Sequence, residues 1–156
     1  MTTFREIYDS FLGKIIDDMY LELTQEDTEK MLFELFEKSL HFFEFPRVDI
    51  YDYNTELEEY NIVLSKEEIN IISTYMVVCW LGQQLASVEN VRMKYSGSDF
   101  KFTSQANHMA KIQAMRKEYE REGFHLQRLY KRRKADEKGI MKSTFDSIMY
   151  PTKGGN

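Results

Sequence analysis

One cysteine, two prolines and seven glycines in 156 residues leave several kinds of protein without their raw material. A lone thiol, Cys79, forms no internal disulfide and supplies no cysteine-based zinc site, which suits a reducing compartment. It sits in the apolar run Tyr75-Met76-Val77-Val78-Cys79-Trp80-Leu81 and reads as a small core residue rather than a nucleophile. So little glycine and proline excludes a loop-built or disordered chain. No apolar run approaches the ~20 residues that cross a bilayer, so no membrane contact is expected. The first turns carry acids in place of the basic and apolar regions of a secretory leader, and a protein made in a cytoplasm is expected.

Reactive chemistry is as scarce. Gly97 is isolated and Gly154-Gly155 stand at the end of the sequence, so there is no phosphate-cradling loop. His41, His108 and His125 fall outside any His-Glu-x-x-His or nucleophile–base motif. Glu122 and His125 have the Glu-x-x-His spacing of di-iron bundles. Such a site needs a second copy and two further inward glutamates, and here Gly123 interrupts the helix. The acid pairs Asp17-Asp18 and Glu58-Glu59 lack the contrasting environments that separate two carboxyl pKa values. We assign no catalytic residue, no metal and no cofactor, and expect a protein that is not an enzyme.

What is abundant is charge, and it is divided. Residues 1–90 hold 6 Lys/Arg against 19 Asp/Glu, a net of -13, whereas residues 91–156 hold 15 against 7, a net of +8. An acidic front and a basic back suit self-complementary packing, or a basic surface aimed at an anionic partner. The 42% hydrophobic content, with 11 Phe and 10 Tyr, supports one domain with a real core.

The pattern along the chain is mainly α. Thr3-Phe4-Arg5-Glu6 is a capping box, followed by apolar residues at 4, 7, 8, 11, 12, 15, 16 and 19 on a single helical face. Thr24 opens a second helix with Gln25, Glu26 and Asp27 in its first turn; it should stop near Phe45, because Pro46 disfavours helix before it. Between 47 and 63 the period shortens: Val48, Ile50, Tyr51 and Tyr53 belong to an extended arm or β-hairpin, read either as a contact element or as a connection packed on the bundle. Ser65-Lys66-Glu67-Glu68 is a second capping box, and the helix behind it is apolar nearly all round, as a central helix should be. A fourth helix begins near Thr103-Ser104 and meets Gly123, read as a C-cap or kink. A shorter basic helix then follows to about Ala135. The expected fold is therefore a small bundle of four to five helices over 1–137. A C-terminal tail, 138–156, carries Ile140, Met141, Phe145, Ile148, Met149 and Tyr150 without helical periodicity and reads as a docking segment.

The run Arg128-Leu129-Tyr130-Lys131-Arg132-Arg133-Lys134 is the one local charge signal. Arg128, Lys131, Arg132, Arg133 and Lys134 would neutralise phosphates, pair with an acidic protein surface, or form a solvated helix face. No helix-turn-helix spacing accompanies them, which argues against sequence-specific DNA reading.

The stretch Ser87-Val88-Glu89-Asn90-Val91-Arg92-Met93-Lys94-Tyr95-Ser96-Gly97-Ser98-Asp99-Phe100-Lys101-Phe102-Thr103-Ser104-Gln105-Ala106-Asn107-His108 resembles a segment of tailed-bacteriophage neck proteins. Leu126 to Lys134 and the opening Phe4-Arg5-Glu6-Ile7-Tyr8-Asp9-Ser10-Phe11 extend the likeness. It is a similarity of segments, with no chemical motif from which site residues are carried over. The resemblance to the head–tail connector (adaptor) class implies a structural virion protein located in the neck. It further implies a homo-oligomeric, dodecameric ring that continues the DNA channel, with the portal and a tail or second neck protein as partners. A different neck ring or a tail terminator is a close neighbour of that reading. The alternative is a DNA-binding packaging or regulatory protein using residues 128–134.

Overall fold

The computed structural model describes residues 1–15, 25–94, 102–135 and 141–143. The chain is mainly helical, with a small β-hairpin between its second and third helices. Helix α1 spans Phe4–Leu12, α2 Gln25–Leu40, α3 Lys66–Lys94 and α4 Phe102–Arg132. Strands β1 (Tyr53–Asn54) and β2 (Glu59–Tyr60) pair antiparallel, as do β3 (Arg133–Ala135) and β4 (Met141–Ser143).

The Thr3 capping box forms as expected: the Thr3 hydroxyl accepts from the Glu6 amide while the Glu6 carboxylate accepts from the Thr3 amide. It starts α1 with Phe4, Ile7 and Phe11 facing inward. Helix α1 closes at Gly13, so only the first part of the apolar stripe read to residue 19 lies in it; positions 16 and 19 lie outside the described residues. Helix α2 buries Leu32, Leu35, Phe36 and Leu40 and ends at Leu40, five residues before the limit that Pro46 sets. The cause is local. Phe42 and Phe43 donate to the carbonyls of Ser39 and Leu40, three residues back, and this tighter turn swings Phe43 into the core.

Ser65 and Glu68 make the second capping box, with the Ser65 amide donating to Glu68 Oε2 at 2.6 Å. Helix α3 then runs through the middle. Ile71, Ile72, Tyr75, Met76, Val77, Val78, Trp80 and Leu81 are all buried, and α1, α2 and α4 each pack against it. Where polar groups are buried on it they are bonded: Ser73 meets the Ser10 hydroxyl at 2.9 Å, and Thr74 donates to the Asn70 carbonyl at 2.7 Å.

Two expectations are corrected on α4. The helix passes through Gly123 without a cap or restart, so the separate basic helix does not exist. Gly123 is buried because the Tyr75 ring lies against it: a Cβ there would stand 2.7 Å from Tyr75 Cζ. Glycine at this point makes room for a neighbour, not for a bend. The helix also ends at Arg132, so Arg133 and Lys134 belong to β3.

Candidate interaction surface

The segment 47–63 is pinned to the bundle. Ile50 is buried, Val48 and Tyr53 are half-buried, and Tyr51 is exposed. Tyr60 donates its hydroxyl to the Ile50 carbonyl at 2.9 Å, and its ring packs with those of Phe4, Phe36 and Tyr53 at centroid distances of 5.6–6.1 Å. The N-terminal residues add a further edge: Phe4 donates to the Glu58 carbonyl, Tyr60 to the Thr2 carbonyl and Thr2 to the Ile62 carbonyl. The turn between the strands projects. Asn54 Oδ1 accepts from the amides of Glu56 and Leu57, at 2.9 and 3.2 Å, and Glu58 adopts a left-handed φ of 53°. Leu57 stands on this turn 65% exposed, between two glutamates.

At the other end of the charge division, the basic residues separate into two groups. Arg133 is held within the chain, its guanidinium donating to Glu67 at 2.6 Å. Arg47, a residue that sequence reading passed over, lies 3.9 Å over the Tyr130 ring and donates to the carbonyls of Tyr130 and Arg133. It thereby satisfies acceptors freed at the end of α4. Beneath it the Tyr130 hydroxyl donates to the buried Glu68 carboxylate at 2.5 Å and accepts from the Arg47 amide at 2.8 Å. Burial, and then the bond to Glu68, push the Tyr130 pKa upward.

Arg128, Lys131 and Arg132 form the second group and are exposed. Because α4 is unbroken, they continue a face begun by Lys117 and Arg121, with Phe124 between. Positions 117, 121, 124, 128 and 131 fall three or four apart and share one side of the helix over about 21 Å. Arg128 lies over the Phe124 ring at 5.3 Å and Lys131 over Phe45 at 4.4 Å. Phe124 and Phe45 are 52% and 60% exposed, and Phe42 beside them is stacked on Tyr75. Gln127 fastens the two elements, accepting from the Glu44 amide and donating to the Phe42 carbonyl. The Lys117 and Arg121 spacing was readable in the sequence, but treating Gly123 as a break hid it.

Lys134 and Met141 lie in the paired strands β3 and β4, so residues 141–143 of the segment read as a tail return along residues 133–135. Ile140, Phe145, Ile148, Met149 and Tyr150 lie outside the described residues. Glu122 and His125 are exposed, and among the described residues no three His, Cys, Asp or Glu side chains are gathered to hold a metal. Cys79 is half-buried, and burial pushes its thiol pKa up to about 11. Among the described residues no helix is long and apolar enough to cross a membrane.

Comparison with family models, with curated proteins and with solved structures gives no match for this chain.

Proposed function

We propose that the chain is a structural subunit of a tailed-bacteriophage neck, a head–tail connector that forms a homo-oligomeric ring between portal and tail. The observation that carries this reading is the presence of two unlike exposed surfaces on one rigid bundle. One is an acidic turn presenting Leu57; the other is the basic and aromatic face of α4. Unlike faces on one subunit are what a head-to-tail ring requires, because each contact joins a different patch on either side. The segment resemblances over 4–11, 87–108 and 126–134 support the same assignment. The portal and a tail or second neck protein are the partners the reading entails, with the virion neck as its location. The test is cryo-electron microscopy of virions in which this chain carries an epitope. A ring of label at the head–tail junction is the expected result; label in the capsid shell or tail tube, or its absence from the particle, refutes the reading.

A second reading is favoured by the stripe of four cations on α4, which suits contact with DNA phosphates in a packaging or regulatory role. Binding to random duplex DNA should then weaken with salt, and replacing Arg128 with Ala should lower the slope of log K against log salt by about 1. A chain that ignores duplex DNA at low salt removes it.

A further inference from the structure

We infer that the acidic turn of one copy docks on the face formed by Phe45 and the Phe124 side of α4 in a second copy. The pairing rests on the ring reading for its setting and adds the two surfaces that meet. The donor is preformed. Asn54 holds the amides of Glu56 and Leu57, and the Phe4 amide holds the Glu58 carbonyl at 2.8 Å, so Leu57 is presented on a fixed turn with little order left to impose on binding.

The acceptor has matching chemistry. Phe45 and Phe124 expose apolar rings, and Lys131 and Arg128 lie over those same rings. Among the described residues neither cation has a carboxylate partner, and neither does Glu56. Leu57 inserted between the rings brings Glu56 and Glu58 against Lys131 and Arg128, burying apolar surface and completing ion pairs in one step. The two patches lie on separate elements of the bundle, so one copy has an open donor and an open acceptor. The contact is heterologous and propagates.

The test uses the full chain as an equal mixture of isotope-labelled and unlabelled protein, treated with a carbodiimide that joins a carboxylate to a lysine amine. A mixed-isotope Glu56–Lys131 or Glu58–Lys131 peptide is expected. Sedimentation should show self-association that Glu56→Lys with Glu58→Lys weakens about tenfold or more, as Arg128→Glu with Lys131→Glu does, and that the fourfold variant regains. Circular dichroism checks that each variant is folded. An assembly whose crosslinks lie elsewhere and which ignores both charge reversals overturns this pairing and leaves the ring reading standing. Reversal on α4 that abolishes duplex DNA binding but leaves self-association unchanged assigns that face to DNA and also overturns it. A chain still monomeric at ~1 mM overturns the pairing and the ring together.

Discussion

Gly123→Ala should destabilise the protein although it replaces the second-worst helix former with the best. Propensity alone favours alanine by about 1 kcal/mol in a helix interior. Against that, the new methyl would stand 2.7, 3.0 and 3.1 Å from Cζ, Cε2 and Cε1 of Tyr75. The ring is not free to yield: it is buried, lies stacked at 5.2 Å on Phe42, and its hydroxyl accepts from Gln127 at 2.7 Å. Overpacking of this kind costs about 1–3 kcal/mol, and losing the stacked pair adds about 0.5–1.5. The balance is a loss of about 1–3 kcal/mol, a fall in Tm of about 3–10 °C for a domain this size. Gly82 provides the control. It too lies in a helix, but the nearest atom to its added methyl would be Arg116 Cζ at an ordinary contact distance of 3.6 Å, so Gly82→Ala should raise Tm by about 2–4 °C. Thermal unfolding followed by circular dichroism measures both. If the two alanines stabilise alike, Tyr75 does not lie over Gly123 and the close approach of α3 to α4 is wrong.

Tyr130→Phe removes the donor to buried Glu68 and the acceptor of the Arg47 amide, and should cost about 1–3 kcal/mol; a urea midpoint unchanged from wild type would contradict the network. Tyr8, Tyr60, Tyr75 and Tyr130 all hold their protons above the ordinary value of 10.0, burial being the first cause in each. Unfolded tyrosines ionise from that pH upward while these stay neutral. Stability is therefore full below pH 10 and falls above it, as the unfolded chain loses these protons before the folded one does. Tyrosinate absorbance from these rings should appear only with unfolding; ten tyrosines titrating together near pH 10 in a folded protein would refute this. Cys79, half-buried with its pKa at about 11, should react with a disulfide reagent at pH 8 far more slowly than the urea-unfolded chain does. Equal rates would show the thiol to be open.

Helix existence was legible because it follows from local rules. Both capping boxes formed where hydroxyl and carboxylate stand three residues apart, and the unbroken apolar run of α3 marked the central position. Gly123 was misread for a reason local rules cannot supply: a glycine that ends a helix and one that admits a ring from another helix look alike until Tyr75 is in place. The same limit hid Arg47. Its role as a cap for α4 depends on residues 83 and 86 positions away, and nothing near it in sequence announces them. For the candidate surface, the sequence marked the basic cluster, yet the fold divided it, committing Arg133 to Glu67 while leaving Arg128 and Lys131 outward. Leu57 carried no signal at all, since an exposed leucine is ordinary until a rigid turn is seen to hold it.

The seal that Tyr130 makes over Phe43, Arg47 and Glu68 also dictates when the molecule can finish folding. On the ribosome, α2 and the start of α3 are made long before the ring that closes them. At roughly 5–20 residues per second, the 83 residues from Arg47 to Tyr130 take about 4–16 s to emerge. During that interval Phe43 and the α4-facing side of α3 lack their final cover. A ribosome paused before residue 130 would prolong that exposed state.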